Sequence, residues 1–140
     1  MTYIYKCDHF RIHELVPPTV YKERGQKAWE LLDERILRAI DELRDTFGPI
    51  TINNWYWGGK FKWSGLRTAN CKIGAKYSQH RYGRAMDLKF KHATPKFIRA
   101  SIRKDFPHWI DMGIHCVENK TKTWVHVSCQ NCSAIKWINP

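Results

Sequence analysis

From Gly25 onward the apolar positions Ala28, Leu32, Ile36, Ala39/Ile40, Leu43 and Phe47 recur at steps of three and four residues. That spacing lines one face of an α-helix. Gly48-Pro49 supplies its stop, and Asp33, a residue type that accepts from free backbone N–H groups at a helix start, marks a point where the helix is interrupted and restarts. The pattern then changes: PITINNWYW (49–57) is β-branched and aromatic and predicts a strand ending at Gly58-Gly59. RAMDLKF (84–90) predicts a second strand. Thr94-Pro95 ahead of KFIRASIRKDF (96–106) predicts a helix with a threonine cap and a proline in its first turn. GIHCVE (113–118) and TWVHVSC (123–129) predict two short strands, and the polar NKTK between them makes the pair a hairpin. Residues 1–24 show no long element, and Pro17-Pro18 marks a turn or extended arm. Lys60 to Lys76 has little periodicity, and an ordered loop of that length in a compact domain is usually functional. Helices interleaved with mostly antiparallel strands predict an α+β domain.

Composition narrows this. At 140 residues the chain is the size of one domain, expected to span 1–140 with residues 1–24 as an arm packed on it. Seven Trp, six Tyr and six Phe within a 43% hydrophobic chain argue for a packed globule over a disordered one. The formal net charge of +11 attracts polyanions, either nucleic acid or an anionic cell wall. No run of five like charges occurs, which weighs against a dedicated nucleic-acid-binding tail. No stretch reads as a secretory leader or a membrane span, so a soluble monomer made in a cytoplasm is expected. Five cysteines are an odd number, and reduced thiols are the expectation. Cys129 and Cys132 have C-x-x-C spacing without a second such pair. Cys7 and Cys71 would complete a structural zinc site only if the N-terminal arm folded back.

The candidate chemistry lies in YSQHRYGRAMD (77–87). A catalytic zinc site takes three protein ligands and keeps a fourth position open. His80 and Asp87 offer two ligands locally, and His126, in WVHVS, offers a third from a neighbouring strand. Gly83 permits a tight turn between the first ligand and its strand, and Ala85 is expected on the face that neither ligand uses. Taken singly, a histidine in a strand is more often a hydrogen-bonded residue than a ligand. The local spacing alone leaves both readings open.

Ser78-Gln79-His80-Arg81-Tyr82-Gly83-Arg84-Ala85-Met86-Asp87 matches every fixed position of the S-x-H-x-x-G-x-A-x-D motif of the D-alanyl-D-alanine carboxypeptidase family of zinc peptidases. Those enzymes share a fold with the vancomycin-resistance D,D-dipeptidases and the hedgehog signalling domain. Ser64-Gly65-Leu66-Arg67 resembles the family's SG-x-R element, and Trp124-Val125-His126-Val127 its late histidine strand. The likeness extends over roughly residues 10–131 to small single-domain bacteriophage members. It implies one Zn²⁺ held by His80, Asp87 and His126, with Arg67 stabilising a substrate carbonyl or carboxylate. Ser78 either caps the loop by hydrogen-bonding backbone or binds substrate. Many members have a catalytic glutamate where this chain has Thr123. Glu118 is the best replacement as general base, placed opposite Thr123 or Trp124 depending on loop length, and His115 is the second candidate. Ser128 stands where many members have an aspartate that orients a ligand histidine.

The resemblance thus implies a zinc peptidase of D,D- or L,D-type acting on peptidoglycan stem peptides. Such an endolysin is made in the host cytoplasm and reaches the wall after release or from the virion. The alternative is a zinc-containing wall-binding domain without turnover, favoured by Thr123. A nucleic-acid-binding role is motivated by charge alone.

Overall fold

A computed structural model of the chain describes residues 4–73, 78–119, 121–129 and 136–138. A 3₁₀ turn (Ile12–Glu14) precedes helix α1 (Pro18–Arg24), a 3₁₀ stretch (Gly25–Leu31) and helix α2 (Glu34–Phe47). Strand β1 (Ile50–Thr51) and two 3₁₀ turns (Trp55–Trp57 and Gln79–Tyr82) lead to β2 (Ala85–Phe90). Helices α3 (Pro95–Lys104) and α4 (Phe106–Asp111) follow, then β3 (Cys116–Glu118), β4 (Val125–Ser128) and β5 (Lys136–Ile138). The sheet order is β1-β2-β4-β3-β5, antiparallel except for the parallel β3–β5 pair. The architecture is α+β, as the alternation of patterns predicts.

Helix α2 starts where Asp33 accepts from the Arg35 backbone N–H (2.9 Å) and stops at Gly48, whose φ of 88° is costly for other residues. Its face of Ile36, Leu37, Ala39, Ile40 and Leu43 is buried. Met86 and Leu88 of β2, Val125 and Val127 of β4 and Val117 of β3 join that core, with Ile98 and Ile102 of α3. Each such side chain taken fully out of water stabilises the fold by about 1.5–3 kcal/mol before its entropy cost. Because strand side chains alternate, covering Met86, Leu88, Val125, Val127 and Val117 with helices commits Asp87, His126 and Glu118 to the other face of the sheet.

The N-terminal arm is part of the same core through Phe10, Ile12, Leu15, Val16 and Val20. Buried Asp41 of α2 holds it, accepting from Tyr5 Oη (2.7 Å) and from the backbone N–H groups of Asp8 (2.8 Å) and His9 (3.1 Å).

Several elements differ from the sequence reading. The strand expected over 49–57 ends at Thr51, because the next residues engage side chains instead of a ladder: Asn53 Oδ1 accepts from Ser64 N–H (2.9 Å) and Asn54 Oδ1 from Phe61 N–H (2.9 Å). None of Trp55, Trp57 and Trp63 is buried, and Trp57 is 62% exposed. The arm contains α1, and the helix expected over 96–106 breaks at Asp105 and resumes as α4. Thr94 caps α3 as expected, accepting from Phe97 N–H (3.1 Å). β5 had no counterpart in the reading. Among the described residues no helix is long and apolar enough to cross a membrane.

Candidate metal centre

Three neighbouring strands bring three of the expected residues into one row. Asp87 of β2 pairs directly with His126 of β4. The β3–β4 register, Cys116 with Ser128 and Val117 with Val127, carried one step further sets Glu118 opposite His126. Directly opposed side chains in an antiparallel pair stand about 4.5–5.5 Å apart at Cβ, so Asp87, His126 and Glu118 crowd one strip of the face that the helices leave free.

His80 reaches the row from the 3₁₀ turn before β2. Ser78 Oγ accepts from the His80 backbone N–H (3.3 Å) and caps that turn. Gly83 closes it with a φ of 67°, and a Cβ there would collide with the Leu31 carbonyl. The Ser64–Arg67 segment then ties both candidate ligands together. The Ser64 carbonyl accepts from Asp87 N–H (2.8 Å), Arg67 N–H donates to the His80 carbonyl (3.1 Å), and the Gly65 carbonyl lies 2.8 Å from His80 Nδ1. Gly65 is also closed in from behind, since any Cβ would strike the Leu15 carbonyl.

The geometry at the centre is tight. His80 Nε2 lies 3.2 Å from Asp87 Oδ1 and 3.2 Å from His126 Nδ1, and His126 Nδ1 lies 2.9 Å from Asp87 Oδ1. A carbonyl can only accept, so His80 carries its proton on Nδ1 towards Gly65 and turns the Nε2 lone pair into the triangle. Burial also lowers the pKa of His80, favouring the neutral ring that ligates metals. Burial alone would raise the Asp87 carboxyl, but the hydrogen bond from His126 Nδ1 and the close approach of His80 hold it well below the usual carboxylate range. Asp87 Oδ2 accepts from Arg67 Nη2 (3.1 Å), and Arg67 Nε donates to the Trp63 carbonyl (2.8 Å). The result is a buried cluster in which the His80 Nε2 lone pair, His126 Nδ1 and the Asp87 carboxylate converge, the carboxylate charge being balanced by Arg67. Among the described residues, His80, Asp87 and His126 are the group that could hold a metal ion, each with one donor atom within 4.8 Å of the others.

Glu118 is at the edge of this cluster, its Oε1 3.9 Å from His126 Nδ1. Neither expected register is observed: Glu118 faces His126, not Thr123 or Trp124. The connection is longer than the three or four residues expected, because Thr121 Oγ1 donates to the Trp124 carbonyl (2.6 Å) and Arg99 of α3 donates to the Thr121 carbonyl (3.0 Å). Thr123 lies in this connection, exposed. His115 was expected near His126, but its Nε2 lies 3.2 Å from the Ile110 carbonyl, and alternation from Glu118 assigns it the other face. Ala85 is corrected as well: two residues before Asp87, it shares the ligand face, paired with fully buried Ser128.

A cleft of ≈ 330 Å³ opens over Asp87 and Arg67, walled by Phe61, Trp63 and Trp124. Lys89 stands at its floor and was not singled out from the sequence, although its place two residues after Asp87 puts it on the ligand face. Its Nζ donates to the Ile52 carbonyl and to Ser64 Oγ (both 2.7 Å), and burial lowers its pKa to about 8. Cys7, Cys71 and Cys129 are free thiols, with Cys7 Sγ donating to the Leu37 carbonyl and Cys71 Sγ to the Ile73 carbonyl. Cys132, and with it the C-x-x-C pair, lies outside the described residues. No protein-family model, curated protein or solved structure matches the chain.

Proposed function

We propose that the chain is a zinc-dependent peptidase of the D,D- or L,D-type that cleaves peptidoglycan stem peptides, built on the fold of the D-alanyl-D-alanine carboxypeptidase and hedgehog family. The observation that carries this is the donor triangle. Zinc bonds of about 2.0–2.1 Å in a tetrahedron set adjacent ligand atoms about 3.3–3.4 Å apart. The three donors here stand 2.9, 3.2 and 3.2 Å apart, so the site fits zinc with only small adjustment.

When bound, zinc supplies Lewis acidity that polarises a peptide carbonyl and lowers the pKa of water towards about 7. The chain's own groups do the rest. His80, Asp87 and His126 would hold the ion, and the Gly65 carbonyl fixes the His80 tautomer. Glu118, half-buried beside the ligands, takes a proton from the attacking water and returns it to the departing amine. Arg67 keeps the Asp87 carboxylate oriented and sets a permanent positive charge at the cleft wall, where a developing oxyanion or a terminal carboxylate is received. Lys89 adds a second cation on that side.

The +11 charge suits an anionic wall, and the reading places the protein in the host cytoplasm after synthesis and at the wall after release or from the virion. The test is hydrolysis of purified cell-wall peptides. Cleavage lost with a chelator, restored by zinc and absent in His80→Ala supports the reading, and cleavage that survives both treatments overturns it. Zinc and wall binding without any hydrolysis would point to the non-catalytic wall-binding domain instead.

A further inference from the structure

The formal charge of +11 is unevenly placed along the chain. Residues 46–104 carry thirteen Lys and Arg against one acid, Asp87, whereas the remaining residues carry eleven against twelve. The excess therefore sits on the stretch that supplies β1, the cleft walls, β2 and α3, and such asymmetry suits an anionic partner for that part of the surface. The one acid of the stretch is already engaged, its carboxylate held by Arg67 Nη2 (3.1 Å) and His126 Nδ1 (2.9 Å).

Within this stretch the ≈ 330 Å³ cleft beside Asp87 gathers four cations, Lys60, Lys62, Arg67 and Lys89. The inner two are engaged with the protein itself. Arg67 donates to Asp87 and to the Trp63 carbonyl (2.8 Å), while Lys89 donates to the Ile52 carbonyl and Ser64 Oγ and lies 4.0 Å from the Phe61 ring centroid. An ammonium has three N–H groups, and those three contacts occupy them. The outer two are free to meet a ligand. Lys60 and Lys62 are exposed, and neither forms an ion pair among the described residues. They flank Phe61 in the chain, and both line the cleft.

Between these cations the lining is apolar, formed by Phe61, Trp63 and Trp124, the last 37% exposed. A ligand that meets both demands carries a carboxylate on an apolar stem. The cleft lies at the low end of the roughly 300–1,000 Å³ span of ligand pockets, room for a short segment of chain. Two exposed lysines at one cleft match one or two carboxylates better than a long row of phosphates. The backbone that carries them is held in place, since Asn54 Oδ1 accepts from Phe61 N–H (2.9 Å) and the Phe61 carbonyl accepts from the Asn54 and Trp55 N–H groups (3.0 and 3.2 Å).

We infer that Lys60 and Lys62 form a carboxylate subsite of this cleft, so that the chain selects an acidic peptide, with its carboxylate on the two lysines and its apolar atoms on Phe61 and Trp124. That this peptide is the substrate rests on the peptidase reading; its recognition rests on the cleft.

The experiment titrates the full chain, chelator-treated so that turnover does not interfere, with a synthetic wall stem peptide, following tryptophan fluorescence because Trp63 and Trp124 line the cleft. The peptide is used with every carboxylate free, with the C-terminal carboxylate amidated, and with the side-chain carboxylates amidated. The wild type should bind the free form at least about threefold more tightly than one of the amidated forms, as two exposed ion pairs would give. The form that binds worse identifies the carboxylate the lysines hold. The Lys60→Gln/Lys62→Gln double variant, with folding checked by circular dichroism, should lose that preference. The proposal is overturned if the wild type binds none of the peptides, if it binds all three within about threefold, or if the double variant keeps the preference. It is equally overturned if a random single-stranded oligodeoxynucleotide at physiological salt binds through the same lysines more tightly than the free peptide. A lysine-dependent preference in a chain that hydrolyses no stem peptide would uphold the subsite while the peptidase reading fails. Hydrolysis indifferent to amidation and to the double variant would uphold the peptidase and remove the subsite.

Discussion

Replacing Glu118 by glutamine keeps the side chain's size and its place opposite His126 while removing its ability to take a proton. Glu118 Oε1 is 3.9 Å from His126 Nδ1, whereas the three candidate ligands approach one another within 2.9–3.2 Å. Glu118 is therefore close enough to serve a water in the site but lies outside the ligand triangle, so holding the metal and moving the proton are separable. General acid–base catalysis contributes roughly 10²–10⁴-fold in rate, equivalent to about 2.7–5.4 kcal/mol of barrier. With soluble stem peptide as substrate, kcat of Glu118→Gln should fall by that factor, with KM changed less than about threefold. Zinc stoichiometry, measured on the same preparation, should be unchanged. His115→Asn is the matched control and should keep kcat within about twofold, because its ring is engaged with the Ile110 carbonyl. A Glu118→Gln enzyme with kcat within about threefold of wild type would refute the assignment of the base. Loss of zinc from it would refute the separation of roles, making Glu118 a ligand.

Three further outcomes follow from the same geometry. Gly65→Ala pushes a Cβ against the Leu15 carbonyl and shifts the Gly65 carbonyl from His80 Nδ1, so calorimetry should find zinc affinity down about 10–100-fold, with a lowered denaturant midpoint; unchanged affinity would remove the Gly65 carbonyl from the design of the site. Burial and the Asp33 carboxylate push the Cys129 thiol up to about 11, and burial raises Cys7 as well, so both should resist alkylation in the folded protein at neutral pH and react on unfolding, read by mass spectrometry. His13, lowered in the folded state by burial, binds fewer protons there than when unfolded, so its contribution is complete above the unfolded value near 6.5 and is lost as pH falls below it. His13→Phe should flatten the fall in stability over that acid window in chelator-treated protein, and an unchanged slope would count against a buried neutral His13.

Where local chemistry and tertiary packing agree, the sequence is readable. Helix α2 announces itself through its periodic apolar face, the Asp33 cap and the Gly48 stop, and each does in the fold what its residue type predicts. Strands β2 and β4 are readable because their alternation commits Asp87 and His126 to one face. The Asn53-Asn54 pair hides the end of β1: the neighbouring pattern reads as strand, but these side chains capture the backbone of Phe61 and Ser64, partners that only the folded chain supplies. β5 has no local cue of its own and forms by parallel pairing with β3, a contact of long sequence separation.

The candidate site follows the same division. His80, Asp87 and His126 were legible from residue type and motif spacing, and the fold brings them together. The position of Glu118 was not, since the β3–β4 register depends on how Arg99 and Thr121 hold the connection, and a one-residue change of register reverses the face. Lys89 was overlooked because a lysine two residues beyond a ligand reads as a solvated strand residue until Ile52 and Ser64 enclose it.

The central claim is that His80, Asp87 and His126 together form one zinc site. It is tested most directly by calorimetric titration of the chelator-stripped protein with zinc, for the wild type and for His80→Ala, Asp87→Ala and His126→Ala, with folding of each checked by circular dichroism. One tight site per chain is expected in the wild type, and its loss in each variant. A folded wild type that takes up no zinc, or variants that bind it as tightly as the wild type does, would contradict it.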